Sequence, residues 1–162
     1  MDQFDTQLYE VLKKSGFIKQ NQLDEAYHSA TELARSLSDV LIFRGLITEE
    51  VLGQLIADNL KTPYATLKNK IIPDDILALV PEHLARKLRV VPIAVAEKKL
   101  ALAMEDPTDV EAVETIRRRV GIEVVPYFIT KTDLVRALNQ YKRNFAKKFE
   151  SIIVENVKKA SH

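Results

Sequence analysis

The sequence predicts an α+β protein. A helical subdomain of two helical hairpins comes first, then a small mixed β-sheet subdomain with helices in the order ββαβα, then a C-terminal linker helix. Three observations predict it. An imperfect repeat with helical spacing fills about the first sixty residues, the hydrophobic period changes from 3.6 to 2 at Val90, and it returns to 3.6 after Thr130. The segments are residues 1–67 for the tandem repeat, 68–141 for the sheet subdomain and 142–162 for the amphipathic linker helix.

The repeat aligns KSGFIKQNQLDEAY (14–27) with FRGLITEEVLGQLI (43–56), placing Gly16 over Gly45, Ile18 over Ile47 and Leu23 over Leu52. Each copy reads as a helix closed by a glycine, a short apolar turn and a second helix. Glycine closes a helix cheaply because it accepts φ > 0. Leu8, Val11 and Leu12 precede Gly16 at helical spacing, as Leu37, Val40 and Leu41 precede Gly45. Thr48 is a good N-cap with Glu49 and Glu50 behind it, whereas Lys19 in the first copy is a weak start. Two copies are too few for a solenoid, so the unit is a pair of hairpins sharing one core.

Pro63 in KTPYATL breaks the helical run, since the residue before a proline avoids the helical region. PDDILALV (73–80) and PEHLARKL (81–88) then read as short helices. VVPIAV and KLALAM alternate as strands around a polar turn at Glu97 and Lys98, with Leu100, Leu102 and Met104 on one face. MEDPTD (104–109) sets three carboxylates close together, and Arg117–Arg119 follow. The spacing fits punctuation better than chemistry. Thr108 and Glu111 match a capping box, Val110, Val113, Ile116 and Val120 make an apolar stripe, and the arginines sit in the last turn before Gly121. IEVVPYFI (122–129) is a strand, and Thr130 caps a helix carrying Leu134, Ala137, Leu138 and Tyr141. The remainder, 142–162, keeps an apolar periodicity, and its end at KKASH without a stop signal hints at a longer protein.

Composition narrows the function classes. A hydrophobic share of 46% is too high for disorder, and 24 Lys+Arg against 23 Asp+Glu gives no global sign of a nucleic-acid binder. No apolar run approaches the roughly 18 residues of a spanning helix, which suggests a soluble, cytoplasmic chain without direct membrane insertion. The absence of cysteine excludes disulfides, thiolate nucleophiles and cysteine-held metals. The four glycines support no phosphate-cradling spacing, so no P-loop is present. His28, His83 and His162 are isolated, and no serine sits in a nucleophile elbow. No catalytic residue and no metal ligand set is assigned.

The stretches SLSDVLIFRGLITEEVLGQLIADNLKTPYATL and PEHLARKLRVVPIAVAEKKLALAMEDPTDVEAVETIRRRVGIEVVPYFITKTDLVRAL resemble the N-terminal domain of the type II secretion and type IV pilus assembly ATPases. The resemblance covers about residues 4–141, and VVPI, LALAMEDPTD and GIEVVP carry it most specifically. It implies a non-catalytic docking and regulatory domain that couples a cytoplasmic motor to an inner-membrane platform protein. It also implies that ATP and Mg belong to an ATPase domain of the same polypeptide, that the full-length protein is a homo-hexamer, and that it works at the inner face of the bacterial inner membrane. A free-standing adaptor is a further alternative.

In a subset of that family the tandem repeat binds cyclic di-GMP through a motif close to R-L-G-x-x-L-V-x-x-G-L-I-x-x-x-Q-L-x-x-x-L-x-x-Q. Carried over by position, the candidates here are Gln7, Leu8, Leu12 and Gln22 from the first copy and Leu37, Leu41 and Asn59 from the second. The apolar positions match, but Gln7 and Ser36 stand where the motif has arginine, Tyr9 and Ser38 where it has glycine, and Ala30 and Asn59 where it has the closing glutamine. Two lost charge-assisted contacts, about 1.5–3 kcal/mol each, weaken binding on the order of 10²-fold or more. The resemblance therefore implies a cyclic di-GMP sensor only as the alternative. Phe145, Phe149, Ile152 and Ile153 are the expected contact with the rest of the motor.

Overall fold

Two helix pairs follow one another in the order the repeat predicts: α1 (Gln3–Ser15) and α2 (Gln20–Leu33), then α3 (Leu37–Phe43) and α4 (Glu49–Asn59), with α1 packed on α2, α3 and α4 and α2 packed on α3. The computed structural model describes residues 3–68 and 70–160, with side chains at all of these except 144–148 and 151–160. Two compact units result, Met1–Tyr64 and Ala65–His162.

In the first unit Gly16 and Gly45 adopt φ of +67° and +72°. At the second, the Gly45 N–H donates to Ile42 O and the Leu46 N–H to Leu41 O, both at 3.0 Å, so a left-handed glycine satisfies carbonyls that the end of α3 leaves open. Ser36 Oγ accepts from the Asp39 N–H and Thr48 Oγ1 from the Val51 N–H, each at 3.2 Å, while Lys19 supplies no side-chain cap to α2. The matched apolar positions of the two copies (Leu8 with Leu37, Leu12 with Leu41, Ile18 with Ile47, Leu23 with Leu52) are all buried. Among them lies a buried acid, Asp5, whose Oδ2 accepts from the Leu37 N–H at 3.1 Å. A carboxylate inside an apolar core is tolerable only when hydrogen-bonded, and here it serves the first turn of α3.

The second unit opens with α5 (Asp74–Leu77) and α6 (Glu82–Leu88), each entered from a proline at the cap position, Pro73 and Pro81. β1 (Val90–Ala96) and β2 (Lys99–Met104) form an antiparallel hairpin whose turn places Glu97 and Lys98 at φ of +52° and +61°. After α7 (Val110–Val120), β3 (Glu123–Phe128) joins β2 in parallel, giving the mixed sheet β1-β2-β3. Leu100, Leu102 and Met104 of the central strand are buried as expected. Pro92 and Pro126 sit opposite Leu102 on the two outer strands, where a missing N–H costs no ladder bond, and the β1 register slips between Pro92 and Ala94. Helix α8 (Lys131–Ala160) starts on Thr130, whose Oγ1 accepts from the Asp133 N–H, and continues past residue 142 without a break.

Two local expectations need correction. The cap of α7 is Asp109, whose Oδ1 accepts from the Ala112 N–H at 3.1 Å. Thr108 instead donates its hydroxyl and its N–H to Asp106 Oδ1, at 2.5 and 3.0 Å, a local turn that competes with the capping box. Val110 is the first residue of the helix and 70% exposed, so the buried face of α7 rests on Ala112 and Ile116, with Val113 and Val120 half-buried. Asp109→Ala should accordingly destabilise the chain by about 1 kcal/mol in urea unfolding, and Thr108→Ala by only a few tenths. The reverse order would restore Thr108 as the cap.

Candidate functional site

The residues carried over from the dinucleotide motif divide by burial. Leu8, Leu12, Leu37 and Leu41 lie in the core of the first unit at 0–3% exposure, while Gln7, Gln22 and Asn59 are exposed. What a solvent-side ligand could touch at these positions is therefore neutral amide. The motif's leading arginine, whose guanidinium would read a phosphate or a guanine edge, is replaced in both copies, by Gln7 and by Ser36.

Close to the first copy stands a polar cluster that the sequence reading missed. Tyr9, at the motif's glycine position, donates its hydroxyl to Asp24 Oδ1 at 2.5 Å, and the Gln20 amide donates to both that oxygen and the Tyr9 hydroxyl, at 2.8 and 3.0 Å. The Tyr9 and Tyr27 rings meet with centroids 5.0 Å apart and tilted by 59°. The hydrogen bond to Asp24 pushes the Tyr9 hydroxyl above its ordinary pKa, and the same bond, helped by Gln20, holds Asp24 below the usual carboxylate range. At neutral pH the pair is a phenol on a carboxylate, a strut between α1 and α2. Its sequence signal was a tyrosine at a glycine position, with an acid and an aromatic three residues apart on the next helix.

The carboxylates of MEDPTD are individually engaged. Glu105 Oε2 accepts from Arg89 Nε at 2.7 Å, Asp106 holds Thr108, and Asp109 caps α7. Arg117 is held by Glu114 at 2.6 Å, which lowers the Glu114 pKa. Arg117 and Arg118 border a shallow depression of about 440 Å³ with Gly121, Ile122 and Glu123. Among the described residues no three His, Asp or Glu converge as metal ligands, and His28 and His83 are exposed. Of the expected contact residues on α8, Phe149 is 55% exposed. The side chains of Phe145, Ile152 and Ile153 lie outside those described, as does His162.

The MshEN domain family matches residues 60–147. The chain is 30% identical over 139 residues to the type IV pilus assembly ATPase PilB of Thermus thermophilus, covering 85% of this chain and 16% of that protein. It is 25% identical over 134 residues to bacteriophage adsorption protein B of Escherichia coli, covering 83% and 18%. The solved structure of MshE with cdg (cyclic di-GMP) superposes with a TM-score of 0.63 at 28% identity, covering 83% of this chain and 97% of that one. The N-terminal domain of XpsE gives a TM-score of 0.53 at 19% identity, covering 86% and 98%, a likeness of fold alone. The chain thus spans about a sixth of the length of the curated relatives named here.

Proposed function

The chain belongs to the MshEN domain family, and from that membership we propose that it is the non-catalytic docking and regulatory domain at the N-terminus of a type II secretion or type IV pilus assembly ATPase. In this reading it couples the cytoplasmic motor to an inner-membrane platform protein. ATP and Mg act in a catalytic domain of the same polypeptide, which assembles as a hexamer at the inner face of the membrane. The supporting observation is the likeness to PilB at 30% identity across 85% of the chain, higher than to the phage adsorption protein. Helix α8 suits the coupling role: its first turns are locked into the sheet unit, so a shift of that unit is carried along a rigid rod. The test is titration of the chain with the cytoplasmic segment of the cognate platform protein. Saturable binding is expected together with no nucleotide hydrolysis by the chain alone. Turnover of nucleotide, or no binding, would sink the reading.

A second reading, a cyclic di-GMP sensor with an altered motif, is favoured by one observation: the superposition on MshE with cdg over 83% of the chain. It meets the loss of both arginine positions. Calorimetry with the dinucleotide is expected to show no micromolar binding, in line with a loss of about 10²-fold. Micromolar or tighter binding that Gln7→Ala and Asn59→Ala weaken would replace the first reading with the second.

A further inference from the structure

Charge in this chain is nearly balanced overall but segregated along it. Residues 142–162 hold six Lys or Arg against Glu150 and Glu155, while residues 1–141 hold 18 basic and 21 acidic side chains. The basic stretch is helical through Ala160 and continues α8, whose earlier turns are fixed in the sheet unit by Leu134, Leu138 and Tyr141. Residues 142–160 therefore add roughly 28 Å of helix to an anchored rod. On a 3.6-residue period Phe145, Phe149 and Ile152 continue the stripe of Leu134, Leu138 and Tyr141, with Ile153 at its border. Of that stripe Leu134 and Leu138 are buried, Tyr141 is half-buried and Phe149 is 55% exposed.

We propose that this half of α8 lies in the plane of an anionic lipid surface, the apolar stripe entering the headgroup boundary and the basic residues meeting lipid phosphates. No helix among the described residues is long and apolar enough to cross a membrane, so the fit is to lying on a bilayer. Five of the six cations are lysine. Protein interfaces favour arginine and deplete lysine, whereas lysine stems at the edge of an apolar stripe extend their ammonium groups to the headgroups. A nucleic acid needs no Phe/Ile stripe, and a second copy would bring two basic helices together against their mutual repulsion. The inference stands on this helix alone and holds whichever larger protein carries the domain.

The test is sedimentation of the intact chain with phosphatidylcholine vesicles and with equimolar phosphatidylcholine–phosphatidylglycerol vesicles. Binding to the anionic vesicles is expected to exceed binding to the neutral ones by at least about tenfold, and to fall by at least about tenfold when salt is raised, as screening requires. Phe149→Asp and the pair Lys147→Glu, Lys148→Glu should each reduce it comparably with the melting temperature unchanged. Equal binding to both vesicles, or variants that bind like the parent, would overturn the proposal. So would no binding accompanied by concentration-dependent dimers, which would give the stripe to a second copy, or no binding with the chain monomeric, which would leave it to the rest of the motor.

Discussion

A chain ended after Thr130 will fail to fold its sheet unit, and a chain ended after Arg143 will fold it. The first cut removes Leu134, Ala137 and Leu138, all at 0–1% exposure in the core that holds the sheet. Burial of each leucine stabilises by about 1.5–3 kcal/mol. The same cut removes the Tyr141 hydroxyl, which donates to Val80 O at 2.8 Å, and Gln140, which accepts from the Ile72 N–H at 2.8 Å and donates to Lys70 O at 3.3 Å. Arg86 also loses one of its two acceptors, Leu138 O, and keeps Glu82. Such bonds contribute about 1 kcal/mol each. Burial, and then the charge of Glu82, raises the Tyr141 pKa, as an enclosed phenol requires. The sum exceeds the ~5 kcal/mol at the lower end of domain stability. The second cut leaves all of these groups in place. Thermal unfolding followed by circular dichroism, with amide NMR dispersion, checks both chains. A cooperative melt of sheet-unit signals in the shorter chain would show that the helix is an appendage, and an unfolded longer chain would move residues 144–160 into the core.

Much of the fold was legible because its signals are local. Gly16, Gly45 and Gly121 each take the left-handed conformation just past a helix, and Thr48 and Thr130 each accept from the N–H three residues on. The change of period at Val90 located a hairpin whose turn lies at Glu97 and Lys98. Where two local solutions compete, pattern alone failed. Thr108-x-x-Glu111 matches a capping box on paper, but Asp106, two residues before, takes the threonine's hydrogen bonds and the cap moves to Asp109. Val110 is in phase with the apolar stripe yet exposed, since phase does not say where along a helix the core ends. Asp5 is the opposite case: an acid in phase with Leu8 and Leu12, buried because α3 supplies an N–H from 32 positions away. That partner is tertiary, and no local window contains it.

The candidate site shows the same limit at larger energetic stakes. Helical spacing put Leu8, Leu12, Leu37 and Leu41 on one face of each repeat, a pattern that serves equally for ligand walls and for a core, and all four are buried in the first unit. Leu12→Ala and Leu41→Ala are therefore expected to cost about 2–5 kcal/mol each, by lost transfer energy and the cavity left behind, whereas Gln7→Ala and Asn59→Ala stay within about 0.5 kcal/mol. Against a helical unit as small as Met1–Tyr64, whose buried area per residue is modest, either leucine change approaches complete unfolding. This is why the dinucleotide titration uses the amide variants: a leucine variant that fails to bind has most simply failed to fold. The check is the urea midpoint of each variant, read from the helical signal, beside its dinucleotide titration. If Leu41→Ala keeps the parent midpoint but alters binding, the leucines face a ligand after all. If the midpoint collapses while the amide variants leave it fixed, these residues are the floor on which any surface chemistry of the repeat is built.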